Sequence, residues 1–287
     1  MINRRANHLL LTAFFLVSLP ITSTPGQALQ SSDTKPKAEA PSSTVENVNA
    51  QLVAARLATK EKRYADSEAL MLKLTAGKPE LIAPWVELGL AQLGEQKFPE
   101  ARASFEVALG LDPASIDAAH ANDFYKPDKQ QVTYASRNTA GGFVINPQSR
   151  TPDIKGICWS SLGEIYLRTN HIPEAQKAYD EAVKANPAKA ALFLGNETII
   201  SFQTGNTDTQ LAAADKAIAV DPSRAMLYYF KGQALASKAT ADPSGKMILP
   251  PGCAEAYQKY LQLDPKGQFA NDAKGVLTAA GIPTAGK

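Results

Sequence analysis

Residues 156–189 read GICWSSLGEIYLRTNHIPEAQKAYDEAVKANPAK and contain the clearest structural pattern of the sequence. Its apolar residues recur at the three- and four-residue spacing of amphipathic helices. His171 stands in a short turn between two such segments. Pro187 ends the second segment, because proline lacks the N–H that a continuing helix needs. The stretch therefore predicts two helices joined by a tight turn.

Proline closes an amphipathic segment at five places: Pro79, Pro113, Pro187, Pro222 and Pro265. The gaps between these prolines are 34, 74, 35 and 43 residues, a period of 34 with additions of 40, 1 and 9. Trp85 and Trp159 are also 74 residues apart, and each stands three residues before a Leu-Gly pair. A period of 34 is typical of stacked helix–turn–helix repeats.

This pattern resembles the tetratricopeptide repeat (TPR), in which Trp, Leu-Gly, Tyr, Ala, an aromatic residue, Ala and Pro follow in order. The copy at 156–189 matches at Trp159, Leu162, Gly163, Tyr166, Ala175, Tyr179, Ala182 and Pro187. The copy at 82–115 has Gln92 where Tyr is usual and keeps Trp85, Leu88, Gly89, Ala101, Phe105, Ala108 and Pro113. The copies at 48–81, 190–224 and 225–267 match less well, and in the fourth we expect Glu197 in place of the Gly.

The resemblance implies an all-α fold, a right-handed α-solenoid of about five helix–turn–helix repeats. Residues 48–115 are predicted as repeats 1–2, and residues 154–267 as repeats 3–5. Residues 268–287 are predicted as a capping helix and tail. Residues 29–47 are rich in Ser, Pro and Lys and are predicted as a flexible linker, although Ser43–Glu46 has the capping-box pattern of a helix start.

Two insertions interrupt the repeats. A roughly 40-residue insertion at 116–153 contains two β-prone runs, 131–135 and 143–145, around a Gly-rich turn, which suggests a β-hairpin. It is either a loop that contacts a partner or a spacer packed on the solenoid, and long loops are compatible with both. A second insertion at 242–252 carries apolar residues that we expect to pack on the repeats rather than form an exposed patch.

The N-terminus has the pattern of a secretory signal peptide over residues 1–28. Arg4 and Arg5 precede the apolar run Leu9–Leu19, which is too short to span a bilayer. Small residues before Ala28 fit cleavage after that position. We therefore expect export to the periplasm or beyond, with no stable membrane span after cleavage; an uncleaved anchor is the alternative.

The sequence contains no recognised pattern for catalysis, a cofactor or a metal. Three histidines and two cysteines leave few metal ligands. Asp117, His120 and Asp123 could share a helix face and hold a metal, but a polar helix end explains them as well. Cys158 and Cys253 are expected on helices too far apart for a disulfide. We expect a protein that is not an enzyme and needs no cofactor; an enzyme or accessory subunit with its site in the insertion is the alternative.

The net charge of +2 argues against a dedicated nucleic-acid binder. In this family the first helix of each hairpin lines a concave groove, and the resemblance implies a protein or peptide partner there. The groove residues so implied are Leu52, Arg56, Lys60, Val86, Leu90, Leu93, Ser160, Glu164, Leu167, Arg168, Tyr229 and Gln233. Leu52 and Arg56 stand where a Lys/Asn/Arg clamp for a chaperone carboxylate would begin, so we do not expect that ligand. The capping helix predicts a monomer.

Overall fold

The computed structural model describes residues 43–111, 150–243 and 245–284. These residues form eleven α-helices and one two-stranded antiparallel sheet. The helices are α1 (Ser43–Lys60), α2 (Tyr64–Gly77), α3 (Ile82–Gly94), α4 (Phe98–Leu109), α5 (Pro152–Arg168), α6 (Ile172–Ala185), α7 (Ala190–Thr204), α8 (Thr207–Val220), α9 (Ala225–Ala236), α10 (Cys253–Leu263) and α11 (Ala270–Ala279). The signal peptide, the hairpin of the first insertion and the triad Asp117, His120 and Asp123 lie outside the described residues.

Consecutive helices pack as five hairpins, α1/α2, α3/α4, α5/α6, α7/α8 and α9/α10, and α11 packs on α10. Each odd-numbered helix up to α7 also contacts the next odd-numbered helix, so α1, α3, α5, α7 and α9 form one continuous row. The prediction of an all-α solenoid of five repeats with a C-terminal capping helix is confirmed.

A left-handed residue reverses the chain between the two helices of the first four hairpins. These residues are Lys62 (φ 61°), Gln96 (φ 62°), Asn170 (φ 63°) and Gly205 (φ 76°). Their spacing matches that of the prolines at the ends of the second helices. The whole hairpin, and not only its end, therefore repeats along the chain.

The turns also fix the register of the fourth repeat. In the third repeat the His171 N–H donates to the Tyr166 carbonyl oxygen over 2.8 Å. In the fourth the Asn206 N–H donates to the Ser201 carbonyl oxygen over the same distance. The equivalent residues are thus 35 positions apart and not 34.

This register corrects the expectation for Glu197. Thr198, and not Glu197, stands at the position of Gly163. Glu197 instead stands at the position of Leu162, where the side chain is buried. The extra residue of the fourth repeat precedes these positions in the chain. Counting 34 residues from the third repeat therefore assigns the Gly position one residue too early.

Within a hairpin, a small residue on the first helix lies under a large one on the second. A Cβ atom at Gly163 would lie 2.7 Å from the Tyr179 ring, and one at Gly89 would lie 2.8 Å from the Phe105 ring. Tyr179 and Phe105 are fully buried. This contact holds the two helices of a hairpin close together.

Two helices begin earlier in the chain than the predicted boundaries. Helix α1 begins at Ser43, inside the segment predicted as linker, at the capping-box pattern. Helix α5 begins at Pro152, two residues before the predicted start of the third repeat, and the Thr151 Oγ1 accepts from the Ile154 N–H over 3.2 Å. The capping helix forms over Ala270–Ala279 within the predicted segment.

The first insertion does not separate the repeats on either side of it. Helix α5 contacts both α3 and α4 directly. The Arg150 Nε donates to the Ala108 carbonyl oxygen over 2.9 Å, and the Arg150 guanidinium lies against Gly110. The chain therefore leaves the second repeat and re-enters the third at adjacent points.

The second insertion contributes one strand to a two-stranded sheet that was not predicted, and the other strand lies just before it. Strands β1 (Thr240–Ala241) and β2 (Met247–Ile248) pair antiparallel. Leu249 packs on the core of the last repeat, as expected. Ile248 is 51% exposed, so only part of the apolar stretch is covered.

Cys158 and Cys253 are both buried, lie on α5 and α10, and form no disulfide with each other. Burial raises the pKa of the Cys253 thiol to about 11, so this thiol is protonated at neutral pH. In the described ranges we find no helix with the length and apolar character of a membrane span.

The close contact at Gly163 predicts opposite effects for one substitution at two helical glycines. Gly163→Ala should lower the free energy of unfolding by about 1–3 kcal/mol, because the new methyl overlaps the buried Tyr179 ring. Gly275→Ala should raise it by about 0.5–1 kcal/mol, because nothing lies within 4 Å of its Cβ position and alanine favours the helix. Urea unfolding measures both, and a Gly163→Ala protein as stable as wild type would contradict the close packing.

Candidate functional site

The groove residues expected from the sequence lie on α1, α3, α5 and α9, in the row of odd-numbered helices. They differ in how far they reach solvent. The buried ones are Leu52, Val86, Leu93, Ser160, Leu167 and Tyr229. The others are Arg56, Lys60, Leu90, Glu164, Arg168 and Gln233, which are half-buried or exposed. Most of the apolar members therefore pack the solenoid, and the polar members other than Ser160 form its accessible surface.

An ion pair joins the first two repeats on this row. The Arg56 Nε donates to the Glu87 Oε1 over 2.6 Å. The Glu87 side chain is only 8% exposed, whereas that of Arg56 is 34% exposed. Burial raises the pKa of Glu87, and the nearby guanidinium opposes that rise. Arg56 is thus held by a buried carboxylate.

Arg168 makes the corresponding link between the third and fourth repeats. Its Nε donates to the Glu164 Oε1 on the same helix over 2.8 Å. Its Nη2 donates to the Gln203 Oε1 on α7 over 3.0 Å. The Arg168 guanidinium therefore has a fixed orientation across the boundary between two repeats.

Phe202, which is next to Gln203 on α7, was not among the groove residues predicted from the sequence. Its side chain is 38% exposed, and its ring lies 5.1 Å from the ring of the buried Phe230. The fourth repeat matched the pattern too poorly for its groove residues to be assigned. The Gly-Asn pair at the turn before α8 could have supplied the register, because it places Phe202 at the position of Leu167.

Tyr229 lies under the C-terminal cap rather than on the open surface. Its ring stacks on Phe269 with centroids 4.0 Å apart, and its hydroxyl donates to the Asp272 Oδ2 over 2.5 Å. Burial and the Asp272 carboxylate both raise the pKa of Tyr229. Gln233, on the same helix, accepts from the Gln210 amide over 2.7 Å. The cap thus covers the end of the row.

A sequence profile described as tetratricopeptide repeat matches residues 161–196. This match covers the second half of α5, the turn, α6 and the start of α7, and the same hairpin geometry recurs in the other repeats. This segment is a tetratricopeptide repeat, and the hairpins on either side of it share its geometry. No curated protein matches the chain.

Solved TPR structures are similar to this chain at low sequence identity. One is YrrB, described as a TPR protein with an unusual peptide-binding site, which is 15% identical over 83% of this chain and 98% of its own, with a TM-score of 0.47. Another is the MamA protein, which is 14% identical over 77% of this chain and 93% of its own, also with a TM-score of 0.47. The assignment to the TPR superfamily rests on the sequence profile and on the repeated hairpins.

The TPR array contains polar atoms buried between its third and fourth repeats. The Tyr179 hydroxyl, the Glu197 Oε2 and the Ser201 Oγ are buried and have no hydrogen-bond partner in the part of the chain that the structure describes. Burial raises the pKa of Glu197 to about 7; Lys216 opposes this rise and Asp180 adds to it. These residues face other repeats rather than the open surface.

Within the described ranges, no group of three His, Cys, Asp or Glu residues could hold a metal ion. The TPR turn residue His171 is exposed, and its Nδ1 lies 3.0 Å from the Thr169 Oγ1. This is the solvated turn position expected from the sequence.

The ion pair between the first two TPR repeats predicts an asymmetric mutational effect. Arg56→Ala should lower the free energy of unfolding by about 1–3 kcal/mol, because it leaves the Glu87 carboxylate buried without its partner. Adding Glu87→Gln should recover part of the loss, since an amide carries no charge to bury. Arg63→Ala, which removes an exposed pair with Asp66, is the control and should change stability little. Thermal and urea unfolding measure all three, and equal effects of Arg56→Ala and Arg63→Ala would contradict the structural role of the buried pair.

Proposed function

We propose that this protein is a non-catalytic scaffold that binds a protein or peptide along the row of odd-numbered helices. The observation that carries the proposal is that two neighbouring residues of α7 reach the repeats on either side: Phe202 is exposed and packs on Phe230 of repeat 5, and Gln203 binds Arg168 of repeat 3. Large aromatic side chains and arginine are typical of the few residues that dominate binding energy in protein interfaces.

Both groups are held in place before a partner arrives. Phe202 rests on Phe230, which is buried in the core of the last repeat. Arg168 is fixed by Glu164 and Gln203. Because these side chains are already ordered, binding of a partner costs less conformational entropy on this surface.

The chemistry of the surface suggests the kind of peptide. Phe202 offers an apolar contact for an aliphatic or aromatic side chain. Arg168 supplies further N–H donors, which suit the carbonyl oxygens of an extended backbone. Lys60 and Arg56 add positive charge at the other end of the row. We therefore propose an extended peptide segment whose apolar anchor contacts Phe202 at repeats 4 and 5 and whose backbone contacts Arg168 at repeat 3.

The insertion at 116–153 is proposed as a second contact for the same partner. Its flanks meet at Arg150 and Ala108, so the inserted residues branch from a single point at the boundary of repeats 2 and 3. A contact there would add to the surface of the odd-numbered helices without interrupting the stack. We also propose that the protein acts as a monomer, because α11 covers the last repeat.

A selection of phage-displayed random dodecapeptides on residues 29–287 tests the binding site. We expect enriched peptides with an apolar anchor, and Phe202→Ala should weaken their binding at least tenfold, a loss of about 1.4 kcal/mol or more, because the anchor contact is lost. Arg168→Ala should weaken it as well. Fluorescence anisotropy with labelled peptides measures both.

Leu263→Ala is the matched control, because Leu263 is 37% exposed, like Phe202, but lies on α10 outside the row. It should leave the affinity unchanged. Enriched peptides that bind the Phe202→Ala and Arg168→Ala variants as tightly as wild type would contradict the proposed site. Loss of binding only when 116–149 is replaced by a short linker, which keeps Arg150 and the start of α5, would move the site to the insertion.

We further propose that the protein is exported and cleaved after Ala28. The support is the charged start, the apolar run Leu9–Leu19 and the small residues before Ala28. Expression of the full chain with a secretory apparatus should yield a protein whose N-terminal sequence starts at Leu29. Intact mass and N-terminal sequencing give the answer, and a product that retains Arg4 and Arg5 in the membrane fraction would indicate the uncleaved anchor instead.

A further inference from the structure

The joint between repeats 3 and 4 contains a buried acid where the other repeats place different groups. Glu197 stands at the position of Leu88 and Leu162, both of which are buried apolar side chains. Glu197 is only 3% exposed. Its Oε2 has no hydrogen-bond partner in the described ranges. A carboxylate in such a place is costly to ionise.

The next joint shows how a charge at this position can be satisfied. Lys231, 34 residues after Glu197, stands at the same position of the fifth repeat. Its Nζ lies 2.6 Å from the Asp215 Oδ1 on α8, so the charge is paired across the joint. Asp180 stands at the position of Asp215, one repeat earlier. At the joint of repeats 3 and 4, therefore, an acid occupies the position that a lysine occupies at the next joint.

The charged groups around Glu197 do not neutralise it. On α6, Asp180 raises the pKa of Glu197, and Lys216 on α8 lowers it only in part. Lys216 is itself paired with Asp180 over 3.2 Å. On α5, Glu164 and Arg168 are paired with each other. On α9, Lys231 is paired with Asp215.

Two more polar atoms at this joint lack partners among the residues that the structure describes. They are the Tyr179 hydroxyl on α6 and the Ser201 Oγ, one turn after Glu197 on α7. Burial raises the pKa of Tyr179, and the charges of Glu164 and Glu197 raise it further. A carboxyl group that keeps its proton can sit among such groups, whereas an ionised one needs water.

We infer that the joint between repeats 3 and 4 is proton-sensitive: it stays closed while Glu197 holds its proton and opens more often once Glu197 ionises. The pKa of Glu197 is about 7 when the joint is closed and returns toward 4.5 when α7 is exposed. Between these values the closed state holds a proton that the open state has lost. Stability of the joint is therefore full below about pH 4.5, falls as pH rises toward 7, and is constant above that.

The Arg168–Gln203 link crosses the same joint on the accessible surface. A partner bound across repeats 3 and 4 would therefore bind more tightly at acidic pH than at alkaline pH. This consequence rests on the proposed function, whereas the proton-sensitive joint does not.

Hydrogen exchange of the full mature chain, followed by mass spectrometry, tests the inference without any ligand. After correction for intrinsic exchange rates, the opening constant of α7 should rise roughly 10- to 30-fold between about pH 5.5 and 8. Glu197→Gln should remove most of this rise, because an amide does not titrate in the range. Asp180→Asn should move the rise to lower pH.

Glu181→Gln on α6 is the control and should keep the wild-type response, since Glu181 pairs with Lys184 in solvent. Glu197→Leu restores the side chain found in repeats 2 and 3, and serves if the Gln variant folds poorly. A wild-type α7 whose opening does not change with pH would overturn the inference. So would a Glu197→Gln or Glu197→Leu protein that keeps the full wild-type response.

Discussion

The structure depends on one contact, the packing of a large side chain on the second helix of a hairpin against a residue with little or no side chain on the first. At Gly163 and Tyr179 the two helices are so close that a single methyl group would overlap the ring. This contact sets the angle and distance within a hairpin. Because the hairpins are alike, they stack in a regular way, and the odd-numbered helices form one row. In the fourth repeat Thr198 stands at the Gly position, and the residue that faces it, Ala214, is small. The combined size of the two facing side chains is therefore limited, rather than the size of either one.

The same geometry explains why the accessible surface of the row is polar and fixed. Apolar side chains on the odd-numbered helices, such as Leu52 and Val86, are buried where one repeat stacks on the next. The side chains left in contact with solvent are longer, and several bridge two repeats, as Arg56 and Arg168 do. Each bridge couples the position of a surface group to the spacing of the repeats beneath it. A change in the spacing of two repeats therefore changes the surface that a partner would meet.

The sequence predicted the fold well because its signals are local. A proline after each second helix, and a Leu-Gly pair in two of the first helices, depend only on contacts within one hairpin. The site was harder to predict. Phe202 was missed because its repeat lacks the Leu-Gly pair and contains one extra residue. Tyr229 was expected at the surface because nothing in the repeat pattern indicates that Phe269 stacks on it. Burial by an element that lies far along the chain is not encoded in a 34-residue period.

The repeats have similar hairpins, and they differ from one another mainly at the joints between them. Repeats 4 and 5 are linked by a lysine and an aspartate in contact, and repeats 3 and 4 by a buried acid beside groups that do not neutralise it. A solenoid behaves as a sum of repeats and nearest-neighbour interfaces, so a weak interface lowers the cost of local opening without unfolding the rest. The buried polar atoms at Glu197, Ser201 and Tyr179 make the interface of repeats 3 and 4 sensitive to protonation, as inferred above. Because the Arg168–Gln203 link crosses that same interface, a proton that alters the geometry of the interface also alters a polar group on the surface proposed to bind a partner.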